Sequence, residues 1–217
     1  GVFCLLATQF SKIGWQGVIQ VAGYFFTVLL VLILQLWVVY SGFLKVFANV
    51  SPVTFFKKMY PNFLFAFTVS SSSATIPVTM NAVKNKLGVS NKIASFVVPV
   101  GATVNMDGTA IMQGVATVFI ANVYGVHLGL SGYLMVILMA MLASIGTAGV
   151  PGVGLITLAM VLQQVGLPVE GIAMIFGIDR LLDMFRTAVN VAGDCVVACC
   201  VARFENEMDK DIYYEPI

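Results

Sequence analysis

Apolar residues run through this chain in stretches too continuous for the alternation of a strand or the single stripe of a surface helix. The longest is residues 17–48, GVIQVAGYFFTVLLVLILQLWVVYSGFLKVFA. A membrane-crossing helix needs about 20 apolar residues, so this segment spans a bilayer with length to spare. Residues 1–15 read as the end of another span. Beyond residue 48 the pattern changes, because apolar runs are repeatedly broken near their middles.

In the first such run, PVTFFKKMYPNFLFAF and IPVTMNAV flank four serines at 70–73. In the second, Asn105, Asp107 and Gly108 interrupt VPVGATVNMDGTAIMQGVATVFIANVYG. In the third, Gly146, Gly149, Gly152 and Gly154 separate YLMVILMAMLAS from LITLAMVLQQV, arms too short for two full crossings. Unpaired backbone groups in hydrocarbon cost several kcal/mol each, so a non-helical break must be buried in protein or face water. Short arms around a Ser-rich or Gly-rich tip therefore predict re-entrant hairpins. Pro77 and Pro151 each follow a break and suit the first turn of a returning arm. A long helical run, about 168–207, closes the series. The order is hairpin, helix, hairpin, helix, which is what an inverted repeat around a midplane binding site produces.

Composition supports the membrane reading: 59% of the 217 residues are hydrophobic and 10% are charged, against about 25% charged in a soluble domain. The expected class is an all-α membrane protein with transmembrane helices, two oppositely oriented re-entrant helical hairpins and broken helices. No acidic residue precedes Asp107, whereas Lys12, Lys45, Lys57, Lys58, Lys84, Lys86 and Lys92 do. Six of these flank the first hairpin, which by the positive-inside rule enters from the cytoplasm. The loops near 124–132 and before Pro168 carry no Lys or Arg, so the second hairpin enters from outside and the C-terminus returns to the cytoplasm. Cys4, Cys195, Cys199 and Cys200 lack paired metal spacing and read as small packing residues. His127, the only histidine, lies beside a Gly-rich loop, away from any relay. The chain starts at Gly1 inside an apolar run and reads as the C-terminal part of a longer protein.

The densest chemistry lies in GIDRLLDMFRTAVNVAGDC, residues 177–195. Asp179, Asp183, Arg186, Asn190 and Asp194 follow one another at spacings of 4, 3, 4 and 4. On a helix that puts all five within an arc of about 80°, along about 22 Å. Thr187 borders the arc. Each charge at mid-bilayer costs about 2.5–3.5 kcal/mol or more, so the stripe must face protein, water or ions. Two readings compete. One is a buried Asp–Arg network that only locks helices together, with Arg180 neutralising Asp179. The other is a site for mobile ions and a charged solute, favoured because three carboxylates face one arginine. Half-helix ends at the breaks add oriented N–H and carbonyl groups that attract carboxylates and cations.

SSSSATIPVTM, NMDGTA and SIGTAGVPG, followed by DMFRTAVNVAGD, together resemble the dicarboxylate/amino acid:cation symporters, which include the excitatory amino-acid transporters and their bacterial and archaeal glutamate/aspartate relatives. The resemblance runs from Gly1 to about Arg203. It implies a transport domain, here residues 49–208, with hairpin 1 at about 51–86, a broken helix at about 91–125, hairpin 2 at about 130–165 and the striped helix at about 168–207. Residues 1–48 would be the last helices before the first hairpin, and 209–217 a cytoplasmic tail. It also implies an elevator-like motion against an N-terminal scaffold that forms a homotrimer.

By the same resemblance, Asp183 matches the carboxylate that holds the substrate ammonium. Arg186 matches the guanidinium on the side-chain carboxylate, and Asn190 a ligand of the main-chain carboxylate. Ser71, Ser72 and Thr187 match further substrate contacts. One sodium site would use Asp194 with carbonyls of Gly101, Asn105 and Asn190. A second would use carbonyls of Thr103, Ser144, Ile145 and Thr147, near Met106. A third would use Asn105 and Asp107 with residues of the scaffold half. The extra arginine that some relatives carry is absent, since Ser70 and Met184 occupy its two positions. The outer gate would be the second tip, with Gly146, Gly149, Val150, Pro151 and Gly152.

The expected function is secondary active symport of acidic amino acids with sodium, and possible proton coupling, in a multi-pass protein of the cell membrane (the inner membrane if bacterial). Sodium acts as the coupling ion, the bilayer is the other partner, and no nucleic acid is involved. A C4-dicarboxylate carrier would leave Asp183 without an ammonium. A neutral amino-acid symporter would not need Arg186. An anion channel suits a carboxylate-rich stripe poorly. No nucleophile–base pair or Cys/His cluster indicates an enzyme.

Overall fold

The computed structural model describes the backbone of residues 2–216. The side chains of residues 1–10, 12–16 and 217 lie outside the described set, and with them the readings made of Cys4 and Lys12. The described chain is all α, its only β feature being an isolated bridge between Val89 and Met208. Helix α1 (Val2–Leu34) continues through a π-helical turn, Gln35–Val39, into α2 (Tyr40–Phe43) and a second π-helical turn, Leu44–Ala48. The separate span expected to end near residue 15 is therefore part of one helix. No proline interrupts residues 1–51, and isolated glycines such as Gly14 and Gly17 are tolerated within a helix. Asn49, at φ 51°, ends the run, and Pro52 in the first turn starts the next helix.

Helices α3 (Pro52–Val69) and α4 (Ser72–Leu87) form the first hairpin. Ser70 is left-handed at φ 54°, and Ser71 caps α4, its hydroxyl accepting from Ala74 N–H. That cap starts α4 so early that Pro77 lies in its interior rather than in its first turn. Pro151 likewise stays in the tip, ahead of α8. Asn62 Nδ2 donates to Thr79 Oγ across the two arms at 3.3 Å, a polar link between apolar faces.

Helices α5 (Asn91–Val104) and α6 (Asp107–Val123) are the broken helix, parted at Asn105 and Met106. Helices α7 (Gly129–Ile145) and α8 (Val153–Gln164) form the second hairpin, around a seven-residue tip. Helix α9 (Ile172–Phe204), 33 residues and about 50 Å long, is the axis, and α1, α3, α4, α5, α6 and α8 pack on it. A short α10 (Lys210–Tyr214) follows.

Residues 24–48 share this core: Tyr24, Val28, Leu32, Tyr40 and Leu44 are buried in the same cluster as Leu182, Val189 and Cys195. The first helix thus lies directly against α9. The segment 209–217, expected as a tail, is folded at least to Tyr214, with Tyr213 fully buried. Two helical segments, Gly17–Ala48 and Val169–Phe204, are long and apolar enough to cross a membrane, and α7 and α8 are shorter apolar helices.

Candidate functional site

The stripe on α9 is buried along its whole length: Asp179, Asp183, Arg186, Asn190 and Asp194 are each at most 9% exposed. Arg186 is spread between two carboxylates. Its Nη1 donates to Asp179 Oδ1 at 2.7 Å and its Nη2 to Asp183 Oδ1 at 2.8 Å. Spacings of 7 and 3 bring both acids onto the turns above the arginine. Among the described residues Arg186 Nε has no hydrogen-bond partner, nor has the buried hydroxyl of Tyr24 nearby. Arg180, half exposed, reaches Asp183 Oδ2 at 3.8 Å rather than neutralising Asp179. Both Nη groups are thus engaged by carboxylates, and the guanidinium is almost completely buried.

The two hairpin tips meet over this charged face. Gly149 carbonyl accepts from Ser71 Oγ at 2.7 Å and from Ser73 N–H at 3.1 Å. No side chain fits there, since a Cβ on Gly149 would sit 2.7 Å from Ala102 O and 2.8 Å from Ser73 Oγ. Gly152 N–H donates to Asp183 Oδ2 at 3.2 Å, tying the far end of the tip to α9. Beneath them lies a small cavity of about 20 Å³, whose lining includes Ser72, Met106, Thr147, Asp183, Thr187 and Asn190. That is room for roughly one water.

The break between α5 and α6 supplies the other wall. Asn190 Oδ1 accepts from Gly108 N–H at 2.7 Å, at the start of α6. Asp194 accepts from Asn105 Nδ2 at 2.9 Å and lies against Gly101, where a Cβ would be 2.3 Å from Asp194 Oδ1. Asp107, Asp194, Asn105, Gly101, Met106, Ser144 and Ile145 line one further cavity of about 500 Å³, and no cationic side chain lines it. The rest of its lining is mainly apolar, so Asp107, Asp194 and Asn105 gather the oxygens in one part of the wall, a set suited to a hard cation. Thr103 stands apart. It is exposed, it lines neither cavity, and its hydroxyl turns back to Val100 O at 2.9 Å. Of the tip residues expected to gate, Gly149 alone is buried, while Gly146, Val150, Pro151 and Gly152 are exposed.

Three site residues were not anticipated from the sequence: Tyr24, Gln35 and Tyr40. Asp107 Oδ2 accepts from Gln35 Nε2 at 3.1 Å and from Tyr40 Oη at 2.9 Å. In an α-helix, residues five apart point about 140° away from each other. The π-helical turn over Gln35–Val39, with its wider i→i+5 bonding, turns less per residue and brings both side chains to one carboxylate. Their one sequence signal was polarity within the apolar run 17–48.

Two hairpin tips meeting over a buried charged helix, with Asp107 and Asp194 in the wall of a neighbouring cavity, form the kind of site a solute carrier needs. Residues 1–204 match the sodium:dicarboxylate symporter family, to which the chain belongs. It is 40% identical over 206 residues to an excitatory amino acid transporter of Caenorhabditis elegans, covering 94% of this chain and 41% of that protein. It is 35% identical to a proton/sodium-glutamate symport protein of Geobacillus stearothermophilus, covering 97% of this chain and 50% of the relative. It is 41% identical to excitatory amino acid transporter 3 of Mus musculus, covering 89% and 37%. The chain thus spans half or less of the length of these relatives. The family is one of transporters, not enzymes.

Proposed function

We propose that this chain is the solute-binding half of a sodium-coupled symporter of acidic amino acids. The observation that carries the reading is the convergence of both hairpin tips on the charged face of α9. Asp183 takes the substrate ammonium, Arg186 the side-chain carboxylate, and Asn190 the main-chain carboxylate, with Ser71, Ser72 and Thr187 completing the contacts. Asp179 keeps Arg186 in place through its 2.7 Å contact, while Arg186 Nη2 exchanges Asp183 for substrate. A cavity of about 20 Å³ is too small for an amino acid, so the tip at 146–152 must lift to admit one and close again over it.

Sodium is the second substrate. Asp107 and Asp194 face one cavity without a cationic partner, and a dicarboxylic amino acid adds further negative charge. In a low dielectric that accumulation is prohibitive without cations. Asp194, Gly101, Asn105 and Asn190 form one site, and Asp107 with Asn105 another. Thr103, Ser144, Ile145 and Thr147, near Met106, form a third once the exposed Thr103 and the second tip close together.

In the membrane, both hairpins are re-entrant and related as an inverted repeat, with the C-terminus cytoplasmic. The outward faces of α7 and α8 support this, since Leu130, Leu134, Ile137, Met141, Ile156 and Met160 are all exposed. The whole unit moves like an elevator against the N-terminal half of the full protein, through which a trimer forms. Aspartate affinity of the purified full-length protein, measured across sodium concentrations, is expected to rise steeply with sodium. An affinity indifferent to sodium overturns the assignment.

A further inference from the structure

Residues 205–214 lie beyond the segment that matches the family, yet several of them are hydrogen-bonded to the two ends of the first hairpin. Glu207 carbonyl accepts from Ser90 N–H at 3.0 Å, and Asp209 N–H donates to Gly88 O at 2.7 Å, on either side of the Val89–Met208 bridge. These bonds fasten the segment to the turn that leaves the first hairpin. Asp209 then caps α10, its carboxylate accepting from Asp211 and Ile212 N–H. The short helix reaches the other end of the same hairpin. There Tyr213 Oη donates to Ser51 O at 2.9 Å, and Ser51 N–H donates to Tyr214 Oη at 3.2 Å. Lys58, only 6% exposed, donates to Ile212 O at 2.5 Å. Burial raises the Tyr213 phenol well above its ordinary pKa, so it stays a donor at every physiological pH.

We infer that residues 206–214 are a clasp that ties the entry and the exit of hairpin 1 together and holds that hairpin shut. Gly88 is shaped for it. At φ 68° it takes a conformation that favours glycine, and a Cβ there would lie 2.1 Å from Asp209 O. Hairpin 2 has no equivalent among the described residues. Hairpin 1 therefore has a fixed base, while the tip of hairpin 2 is joined to other elements through Gly149 and Gly152. The clasp makes the two hairpins unequal at their bases. The inference rests on the hairpin geometry alone and survives whatever the solute is.

The test is hydrogen exchange on the full-length protein, comparing wild type with Gly88→Ala, Tyr213→Ala and a stop after Phe204. Amides near residues 52–60 and 82–90 are expected to exchange about tenfold faster or more in all three variants. Amides of 129–164 are expected to be unchanged. Tyr213→Phe, which keeps the ring and loses only the bond to Ser51, is expected to fall between wild type and Tyr213→Ala. Unchanged exchange at the base of hairpin 1 overturns the clasp, as does acceleration spread equally over both hairpins. Should the truncated protein fail to fold, the Tyr213→Phe and Gly88→Ala pair decides by the same criterion.

Discussion

Replacing Gly149 by alanine is the smallest change that separates the two tips. Gly149 has no positive φ, so alanine suits its backbone, and the effect must come from contact. The added methyl meets Ala102 O, Ser73 Oγ and Ser73 N at 2.7, 2.8 and 3.0 Å, all parts of a packed wall. Gly149 must withdraw, and its carbonyl leaves Ser71 Oγ and Ser73 N–H together. Two buried hydrogen bonds lost as a unit cost about 2–4 kcal/mol. The closed-to-open ratio of the tip should fall by roughly one and a half to three orders of magnitude. Spin labels at Val150 and Val78, both exposed, report the separation of the tips. Without substrate, the short-distance population of Gly149→Ala is expected to disappear, and saturating aspartate with sodium to restore it in part. Aspartate affinity falls by no more than the closure ratio, since the empty closed state loses the same contacts. A distance distribution identical to wild type refutes the idea that Gly149 latches the gate.

Arg186→Cys removes the partner of two buried carboxylates as well as the proposed substrate contact. Breaking such a pair from one side costs about 3–5 kcal/mol. Aspartate binding is therefore expected to weaken by roughly two to three and a half decades, while serine, which has no side-chain carboxylate, binds as well as before or better. Equal losses for both, measured on folded protein, make Arg186 a brace for Asp179 and Asp183 only. Asp194→Asn keeps the volume beside Gly101 and removes the charge. The sodium concentration for half-maximal aspartate binding is expected to rise at least about tenfold, equivalent to about 1.4 kcal/mol, with near-normal aspartate affinity at saturating sodium. An unchanged sodium requirement removes Asp194 from the cation sites.

The breaks and the stripe were legible because each violates a local rule. Serines and glycines interrupt runs that should be helical, and charges sit where hydrocarbon excludes them. A spacing of 4, 3, 4 and 4 is enough to align five side chains on one helix face, and all five are buried. What periodicity could not supply was distance across the fold. Nothing in the sequence says that Gly149 touches Ser71, or that Arg186 divides itself between Asp179 and Asp183. Gln35 and Tyr40 were missed because their meeting at Asp107 depends on a π-helical turn, which the 3.6-residue period does not anticipate. The one expected span boundary near residue 15 failed because two isolated glycines do not end a helix. The C-terminal segment was expected as a cytoplasmic tail, and its docking rests on backbone bonds to Gly88 and Ser90 and on the hydroxyls of Tyr213 and Tyr214, pairings across the chain that no local spacing announces.

Sodium-driven accumulation of aspartate tests the central claim most directly. Full-length protein in liposomes, with sodium outside and none within, is expected to concentrate labelled aspartate above the external level, and an ionophore that dissipates the sodium gradient should abolish the accumulation. Label that enters only to equilibrium, at a rate indifferent to sodium, contradicts coupled transport and describes a channel instead.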